Sequence, residues 1–403
     1  MDICKHFGRC GGCSYLDIPY PQELAQKQAA LIEILGPYGS LLEGVIPAPF
    51  PKGYRNKMEF AFGDDGKDGH LALGIRKRRS FYEVATVEDC QLIPNDFRKI
   101  ALHVQSFFRE VGETFFHRKR HTGNLRHLVL RRGEFTGEIL ICLSTTSKLE
   151  TELAHFVSGL LELNLDGTIV GILHSTNDGV ADVVKDDNIN ILWGQDHFSE
   201  RLTITPQNKL PASNQGASQY ELDFTISAFS FFQTNSAGAQ VLYGVVKDMA
   251  ARMASLAYDL YCGTGTIALV LSSDIGKVIG IELNASAIKA AQENGRLNGI
   301  TNCEFFAGDV SEVLENNAFK EQPDVVVVDP PRNGLHPKAL AKLIALSPPS
   351  IVYVACKPES LARDMAALAD ARYQPMQAVG VDMFPRTPHV EVVALLQRMG
   401  ANQ

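Results

Sequence analysis

Leu256-Ala257-Tyr258-Asp259-Leu260-Tyr261-Cys262-Gly263-Thr264-Gly265-Thr266-Ile267-Ala268-Leu269-Val270-Leu271 decides the fold. The first six residues read as a buried strand, and Ile267 to Leu271 carry a helical pattern. The glycines between them let the backbone turn tightly and approach a ligand. A second strand, Lys277 to Leu283, carries Glu282, 21 residues after Tyr261. A carboxylate at that spacing typically binds ribose hydroxyls. Two more apolar runs follow. Asp324-Val325-Val326-Val327-Val328 closes on Asp329-Pro330-Pro331-Arg332, and Ser350-Ile351-Val352-Tyr353-Val354-Ala355 closes on Cys356. Strands and helices alternate from about residue 230 onward, which indicates a doubly wound α/β sheet. The pattern Gly263-x-Gly265 falls short of the full dinucleotide fingerprint, which disfavours NAD. Followed in order by Glu282 and Asp329-Pro330-Pro331, it favours S-adenosylmethionine.

Ligands of open α/β sheets bind outside the carboxyl ends of the strands. Cys356 and Asp329 therefore face one crevice. A cysteine beside an acidic-Pro-Pro turn suggests a thiolate nucleophile working on a nucleobase. Carbon 5 of a pyrimidine base is a poor nucleophile until a thiolate adds to carbon 6. A general base must then remove the carbon-5 proton before the thiol leaves. A free thiol titrates at about 8.5, so the site has to favour the thiolate. Lys357 and Arg332 are the candidate cations. A stacked target base has to be flipped out, and Phe231 and Phe232 form either a stacking wall for it or part of the core.

A second set of cysteines reads Cys4-x5-Cys10-x2-Cys13, with Cys90 far downstream. Four thiolates hold a [4Fe-4S] cluster or a zinc ion. The bland reading is a group of unrelated buried thiols. A disulfide is disfavoured, because nothing in the chain looks secreted. Cys142, Cys262 and Cys303 read as small buried residues.

Taken together, Ser230-Phe231-Phe232-Gln233-Thr234-Asn235, Asp259-Leu260-Tyr261-Cys262-Gly263, Asp329-Pro330-Pro331-Arg332, Cys356-Lys357-Pro358 and His389-Val390-Glu391 resemble the motifs of the RNA uracil-C5 methyltransferases. These are the bacterial 23S rRNA and tRNA 5-methyluridine enzymes. The motifs stand in family order over residues 230–391, and the N-terminal cysteines extend the likeness to nearly the whole chain. The resemblance implies cofactor contacts from Gln233, Tyr261, Glu282 and Asp329, with Cys356 as nucleophile and Glu391 as base. It also tips Cys4, Cys10, Cys13 and Cys90 toward a [4Fe-4S] cluster. The chain departs from the family's usual Ser-Cys-Asn-Pro, with Ala355 and Lys357 flanking Cys356. Cys4 lies three residues from the start of the sequence, so the N-terminal RNA-binding barrel of some relatives is not expected.

The implied architecture is a C-terminal doubly wound, Rossmann-like class I methyltransferase domain over residues 216–403. A central, largely antiparallel β domain for RNA binding covers 21–215, and a cluster loop with Cys90 covers 1–20. Residues 21–36 read as an amphipathic helix and 203–219 as a polar linker. The net charge of −8 divides unevenly, because residues 52–132 hold 17 Lys/Arg against 10 Asp/Glu. Arg76-Lys77-Arg78-Arg79, Arg118-Lys119-Arg120 and Arg131-Arg132 supply much of that excess, interleaved with aromatics that suit RNA. The solvated charged face is the plain alternative. No run approaches a membrane span and no signal peptide is read, so a cytoplasmic enzyme is expected. No obligate protein partner is implied, and a monomer is the default. The favoured substrate is 23S rRNA, with tRNA uridine-54 as the alternative. An RNA cytosine-C5 methyltransferase usually carries a cysteine in its Pro-containing motif, which Asp329-Pro330-Pro331-Arg332 lacks. An exocyclic-amine methyltransferase has no need of Cys356. A non-catalytic iron–sulfur RNA-binding protein has no need of Glu391.

Overall fold

The computed structural model of the protein describes residues 3–66, 69–180, 188–205, 219–250, 254–315 and 321–400. Its strands are β1 (Leu42–Ile46), β2 (Lys57–Asp64), β3 (Leu71–Arg76), β4 (Val84–Ala85), β5 (Leu125–Arg132), β6 (Glu138–Thr145), β7 (Thr168–Thr176), β8 (Ile189–Gly194), β9 (His197–Ile204), β10 (Tyr220–Ser227), β11 (Leu256–Leu260), β12 (Lys277–Glu282), β13 (Cys303–Ala307), β14 (Val325–Val328), β15 (Ser350–Ala355), β16 (Tyr373–Val381) and β17 (Glu391–Arg398). The α-helices are α1 (Tyr20–Leu35), α2 (Asn95–Glu110), α3 (Ala154–Leu161), α4 (Ser236–Ala250), α5 (Thr266–Leu271), α6 (Ala285–Leu297), α7 (Val310–Glu315), α8 (Pro337–Leu346) and α9 (Pro358–Asp370).

The apolar runs read from sequence become strands buried on both faces, as parallel sheets require. Val325 and Val327 enter one apolar core with Leu242 of α4 and Leu269 of α5. Val326 and Val328 enter another with Leu343 of α8 and Leu361 of α9. All four valines are fully buried, each worth roughly 1.5–3 kcal/mol relative to exposure. The eight-stranded sheet runs β1-β16-β17-β15-β14-β11-β12-β13. β11 through β15 pair in parallel. β17 runs against both β15 and β16. Strand order reverses beside β11: the chain goes outward to β12 and β13, then returns to β14 on the other side. Such a switch point opens a crevice at the carboxyl ends of the strands.

The central sheet, β4-β3-β2-β5-β6-β7-β8, is antiparallel apart from the β6–β7 pair. Its core takes Phe97, Ile100, Val104 and Phe108 from α2 and Phe156 and Leu160 from α3. β9 and β10 form a separate antiparallel hairpin. The expected linker at 203–219 lies mostly outside the described residues, and the strands flanking it pair with each other. Among the described residues no helix is long and apolar enough to cross a membrane.

One boundary moves. The sequence places residues 21–215 in the central domain, but α1 and β1 join the C-terminal sheet. β1 pairs in parallel with β16, Leu42 opposite Ala378. Leu31 and Leu35 of α1 share a core with Leu361, Met365 and Leu368 of α9. The sheet edge satisfies β1's backbone groups, and the apolar stripe of α1 covers the adjoining face.

Candidate active site

Backbone geometry brings the crevice residues together. The chain leaves β11 through Tyr261, which takes a left-handed φ of 65°. Gly263 and Gly265 follow at 53° and 78°. At Gly265 a Cβ would lie 2.8 Å from both Ala291 and Phe305, so a side chain there would push α6 and β13 away. Asp329 follows β14, its N–H donating to the carbonyl of Leu260 at 3.3 Å. Cys356 follows β15 and stands one residue before Lys357, the N-cap of α9, whose first residue is Pro358. The positive end of that helix favours a thiolate. β17 is antiparallel, so its first residue, Glu391, returns to the same edge as the last residues of β11, β14 and β15.

A small pocket at this edge is lined by Phe231, Gln233, Tyr243, Tyr261, Thr264 and Asp329, among others. Glu282 sits at its rim. One carboxylate oxygen accepts from the N–H of Gly263 at 3.3 Å, the other from that of Asn284 at 2.9 Å. The two phenylalanines split. Phe232 is buried against Phe224 at 5.4 Å, whereas Phe231 is 67% exposed. Asn56, at the start of the central sheet, reaches into this motif. Its side-chain amide donates to the carbonyl of Gln233 at 3.0 Å and to the Ser236 hydroxyl at 2.7 Å.

The electrostatics are those of a crevice awaiting a cation. Burial pushes the Asp329 carboxyl up to about 7, although part of its surface opens to the crevice. Burial, and then the neighbouring Asp329, push Glu391 up to about 8, with Arg332 opposing. The Cys356 thiol is raised by burial, then by Glu391 and Asp329, and again Arg332 acts in the opposite direction. Arg332, one of the two cations expected to favour the thiolate, therefore acts on it. Asp259 lies beneath and is raised well above its ordinary value, by burial first and Asp329 second.

The profile of the tRNA (Uracil-5-)-methyltransferase family matches residues 207–399. An uncharacterized RNA methyltransferase of Clostridium tetani is 41% identical over 98% of this chain and 83% of its own length. One from Caldanaerobacter subterraneus is 40% identical over 98% of this chain and 84% of its own. This chain belongs to the RNA uracil-C5 methyltransferase family. The crystal structure of Pyrococcus abyssi tRNA (uracil-54, C5)-methyltransferase, in complex with S-adenosyl-L-homocysteine, superposes with a TM-score of 0.75. It is 30% identical, with 96% of this chain and 86% of that one covered. The reaction class is thus S-adenosylmethionine-dependent methylation of carbon 5 of uracil in RNA.

In this uracil-C5 methyltransferase the four N-terminal-set cysteines also converge. Cys4, Cys10, Cys13 and Cys90 line one pocket with His6 and Leu16. The Gly12 N–H points at the Cys10 sulfur at 3.3 Å, and the N–H groups of Leu92 and Ile93 act on the Cys90 thiol. Burial raises Cys10 and Cys90 and pushes Cys13 up to about 12. Among the described residues no group of three or more His, Cys, Asp or Glu side chains is placed to hold a metal ion. A single zinc ion needs its sulfurs about 2.3 Å from one centre. A cubane takes each thiolate on a different iron, so its ligands lie farther apart. The N–H groups aimed at sulfur also fit that donor set, because hydrogen bonds stabilise cluster thiolates.

Some basic residues are not free to meet RNA. Arg131 is 1% exposed and donates to the carbonyls of Ser227, Ala228 and Ser230, stacking over Phe198. Its burial in a chain reversal gives no signal in sequence. Arg78 and Arg79 are exposed beside Phe81, which is 75% exposed. Lys119 and Arg120 are exposed on the loop carrying His117, whose ring stacks on Tyr82 at 4.3 Å. Tyr243, which lines the crevice pocket from α4, also escaped the sequence reading, because it falls in an ordinary helical pattern.

Proposed function

We propose that the protein methylates a uridine of 23S rRNA at carbon 5 through a covalent Cys356 adduct resolved by Glu391. The observation that carries this reading is the convergence of Cys356, Glu391 and Asp329 on one edge of the sheet. In the proposed sequence, the Cys356 thiolate forms a bond to carbon 6, and the electron pair moves to carbon 5. S-Adenosylmethionine would supply the methyl group that carbon 5 takes, its sulfur–methyl bond breaking with the electron pair left on sulfur as S-adenosylhomocysteine. Glu391 then accepts the carbon-5 proton, and the electrons of that bond expel the sulfur. Asp329, Gln233 and Tyr261 line the pocket proposed to take the cofactor, and Glu282, which accepts from the N–H of Gly263 beside that pocket, is proposed to bind the ribose hydroxyls. Phe231, exposed at the pocket, is placed to stack on a flipped base.

Cys4, Cys10, Cys13 and Cys90 are proposed to hold a [4Fe-4S] cluster. It would brace the loop that carries the basic residues: Cys10 bridges to Lys77, and Arg78 donates to the carbonyls of Cys10 and Cys13. Methyl transfer by this route requires no electron, so the cluster's role is structural or RNA-positioning. The central sheet and the exposed Arg78, Arg79, Lys119 and Arg120 supply phosphate contacts. The proposed division keeps 1–20 for the cluster loop and 216–403 for methyl transfer, while α1 and β1 leave the central unit. The cytoplasm is the proposed setting.

Transfer-RNA uridine-54 is the second reading, favoured by the likeness to the Pyrococcus abyssi enzyme. Incubation with labelled cofactor and separately purified rRNA and tRNA decides between them. Label in tRNA alone would overturn the rRNA assignment. Label in neither would remove the activity from both.

A further inference from the structure

Residues 382–388, between β16 and β17, are gripped from several directions. Arg386 is at the centre of the grip. It is 7% exposed and adopts a left-handed φ of 68°, a conformation that is strained for a non-glycine residue and persists only where surroundings over-determine it. Its carbonyl accepts from the N–H groups of Ser14 at 2.7 Å and Tyr15 at 3.2 Å, the two residues after Cys13. Its own N–H donates to the Glu23 carboxylate at 2.6 Å. Its guanidinium donates to the carbonyl of Ile18 at 3.0 Å and to Glu23 at 3.4 Å, and lies over the Tyr20 ring.

Neighbouring residues share the load. The Tyr54 hydroxyl donates to the carbonyl of Pro385 at 3.0 Å. Lys27, buried, bridges Glu23 and Asp382 at 2.8 and 2.7 Å and donates to the carbonyl of Phe384. The Asn235 amide, two residues past Gln233, donates to the carbonyl of Met383 at 2.9 Å. On the far side, Thr387 donates to the Phe384 carbonyl and accepts from the His389 N–H. Two residues later comes Glu391.

We infer that Arg386 is a positioning residue for the proton-removal step, fixing Glu391 by locking the turn before it to the cysteine loop. This rests on the reading of Glu391 as base. The turn leads the chain into β17, whose first residue, Glu391, pairs with Val381 of β16, and Arg386 ties the turn to residues more than 350 positions away in sequence. A buried network that served stability alone would need neither a strained backbone nor a bond to the cysteine loop. A loosened turn leaves cofactor binding and thiol addition in place but lets the Glu391 carboxylate wander from the proton it must take.

The test uses full-length protein and ordinary uridine RNA. It reads covalent protein–RNA adduct on a denaturing gel, labelled methyl within that adduct, and cofactor affinity by calorimetry. Arg386→Ala is expected to raise methylated adduct at least tenfold over wild type, with cofactor affinity within twofold. Tyr54→Phe removes one bond to the turn and should shift the adduct in the same direction by less. Ser14→Pro removes the loop's 2.7 Å donor and should do likewise. Parallel loss of adduct, product and cofactor affinity in Arg386→Ala would make the role merely structural. If Arg386→Ala does not fold, wild-type adduct levels in Tyr54→Phe and Ser14→Pro overturn the inference. Adduct in Arg386→Ala but not in Ser14→Pro would break the link to the cysteine loop. Glu391→Gln is the control: if it traps no adduct, the base assignment fails, whereas trapping there with none in the turn variants defeats only the role of Arg386.

Discussion

Cys356 follows Ala355, the last residue of β15, and Glu391 precedes Val392, the residue that pairs with Ala355 across β15 and β17, close enough for the Glu391 carboxylate to act on the Cys356 thiol. The proposed nucleophile and the proposed base therefore stand at the same edge of the sheet, at the ends of neighbouring strands. Separate residues should give separable steps. Cys356→Ala should form neither product nor adduct. Glu391→Gln should slow turnover by roughly 10²–10⁴-fold and accumulate methylated adduct on ordinary RNA. With 5-fluorouridine RNA the wild-type enzyme should itself be trapped, since fluorine cannot leave as a proton does. Product formation by Cys356→Ala at a comparable rate would exclude the covalent route.

Cofactor binding should release protons. Asp329 and Glu391 are pushed up to about 7 and 8, chiefly by burial, and a sulfonium beside them favours their ionised forms. Affinity should rise between about pH 6 and 8, by up to tenfold per unit for each proton released. Asp329→Asn should flatten that rise. Titration calorimetry in two buffers of different ionisation enthalpy counts the protons, and a pH-independent affinity would contradict the assignment.

Stability of the ligand-free protein follows with the opposite sign. These carboxyls titrate higher folded than unfolded, where they lie near 4. Their neutral forms stabilise the fold fully below that value, and the contribution is lost as pH rises through 7 to 8. The midpoint of thermal unfolding should fall over this window, and Glu391→Gln should fall less steeply. Equal slopes in the two proteins would mean that Glu391 ionises normally.

Glu282 tests the ribose assignment. Both its oxygens already accept backbone N–H bonds, from Gly263 and Asn284, which fixes the carboxylate at the rim. Glu282→Ala should weaken cofactor binding by about 1.5–3 kcal/mol per lost charged hydrogen bond. Unchanged affinity would remove the residue from the site.

The cysteine pocket predicts a brown protein when purified without oxygen, with about four irons and four labile sulfides per chain if one cubane is held. Cys13→Ser should lose iron and destabilise the Arg78 loop, which hangs on the Cys10 and Cys13 carbonyls. Stoichiometric zinc without iron would overturn the cluster.

The methyltransferase strands were legible because a strand buried on both faces is an unbroken apolar run, as Val325–Val328 shows. The crevice residues were legible because each ends such a run, Asp329 after β14 and Cys356 after β15. What was hidden depends on distant partners. β1 has no fully buried residue and finds its pairing at Ala378 and Val381. Arg131 reads as one more exposed cation, yet three carbonyls from residues 227–230 enclose it. Phe231 and Phe232 are adjacent and alike, and only the turn decides which one faces the crevice. Arg386 sits in a Pro-x-x-Pro turn that looks like surface punctuation.

The place of β1 has a consequence for synthesis on the ribosome. Its neighbour β16 lies 336 residues later by the pairing of Leu42 with Ala378. At roughly 5–20 residues per second, about 20–70 s pass between the emergence of the two strands. Throughout that interval α1 and β1 have no sheet to join. The nascent chain must therefore carry an unpaired strand and an uncovered apolar helix face past the completion of its own central sheet. Pairing of β1 with β16 has to await synthesis of nearly the whole chain.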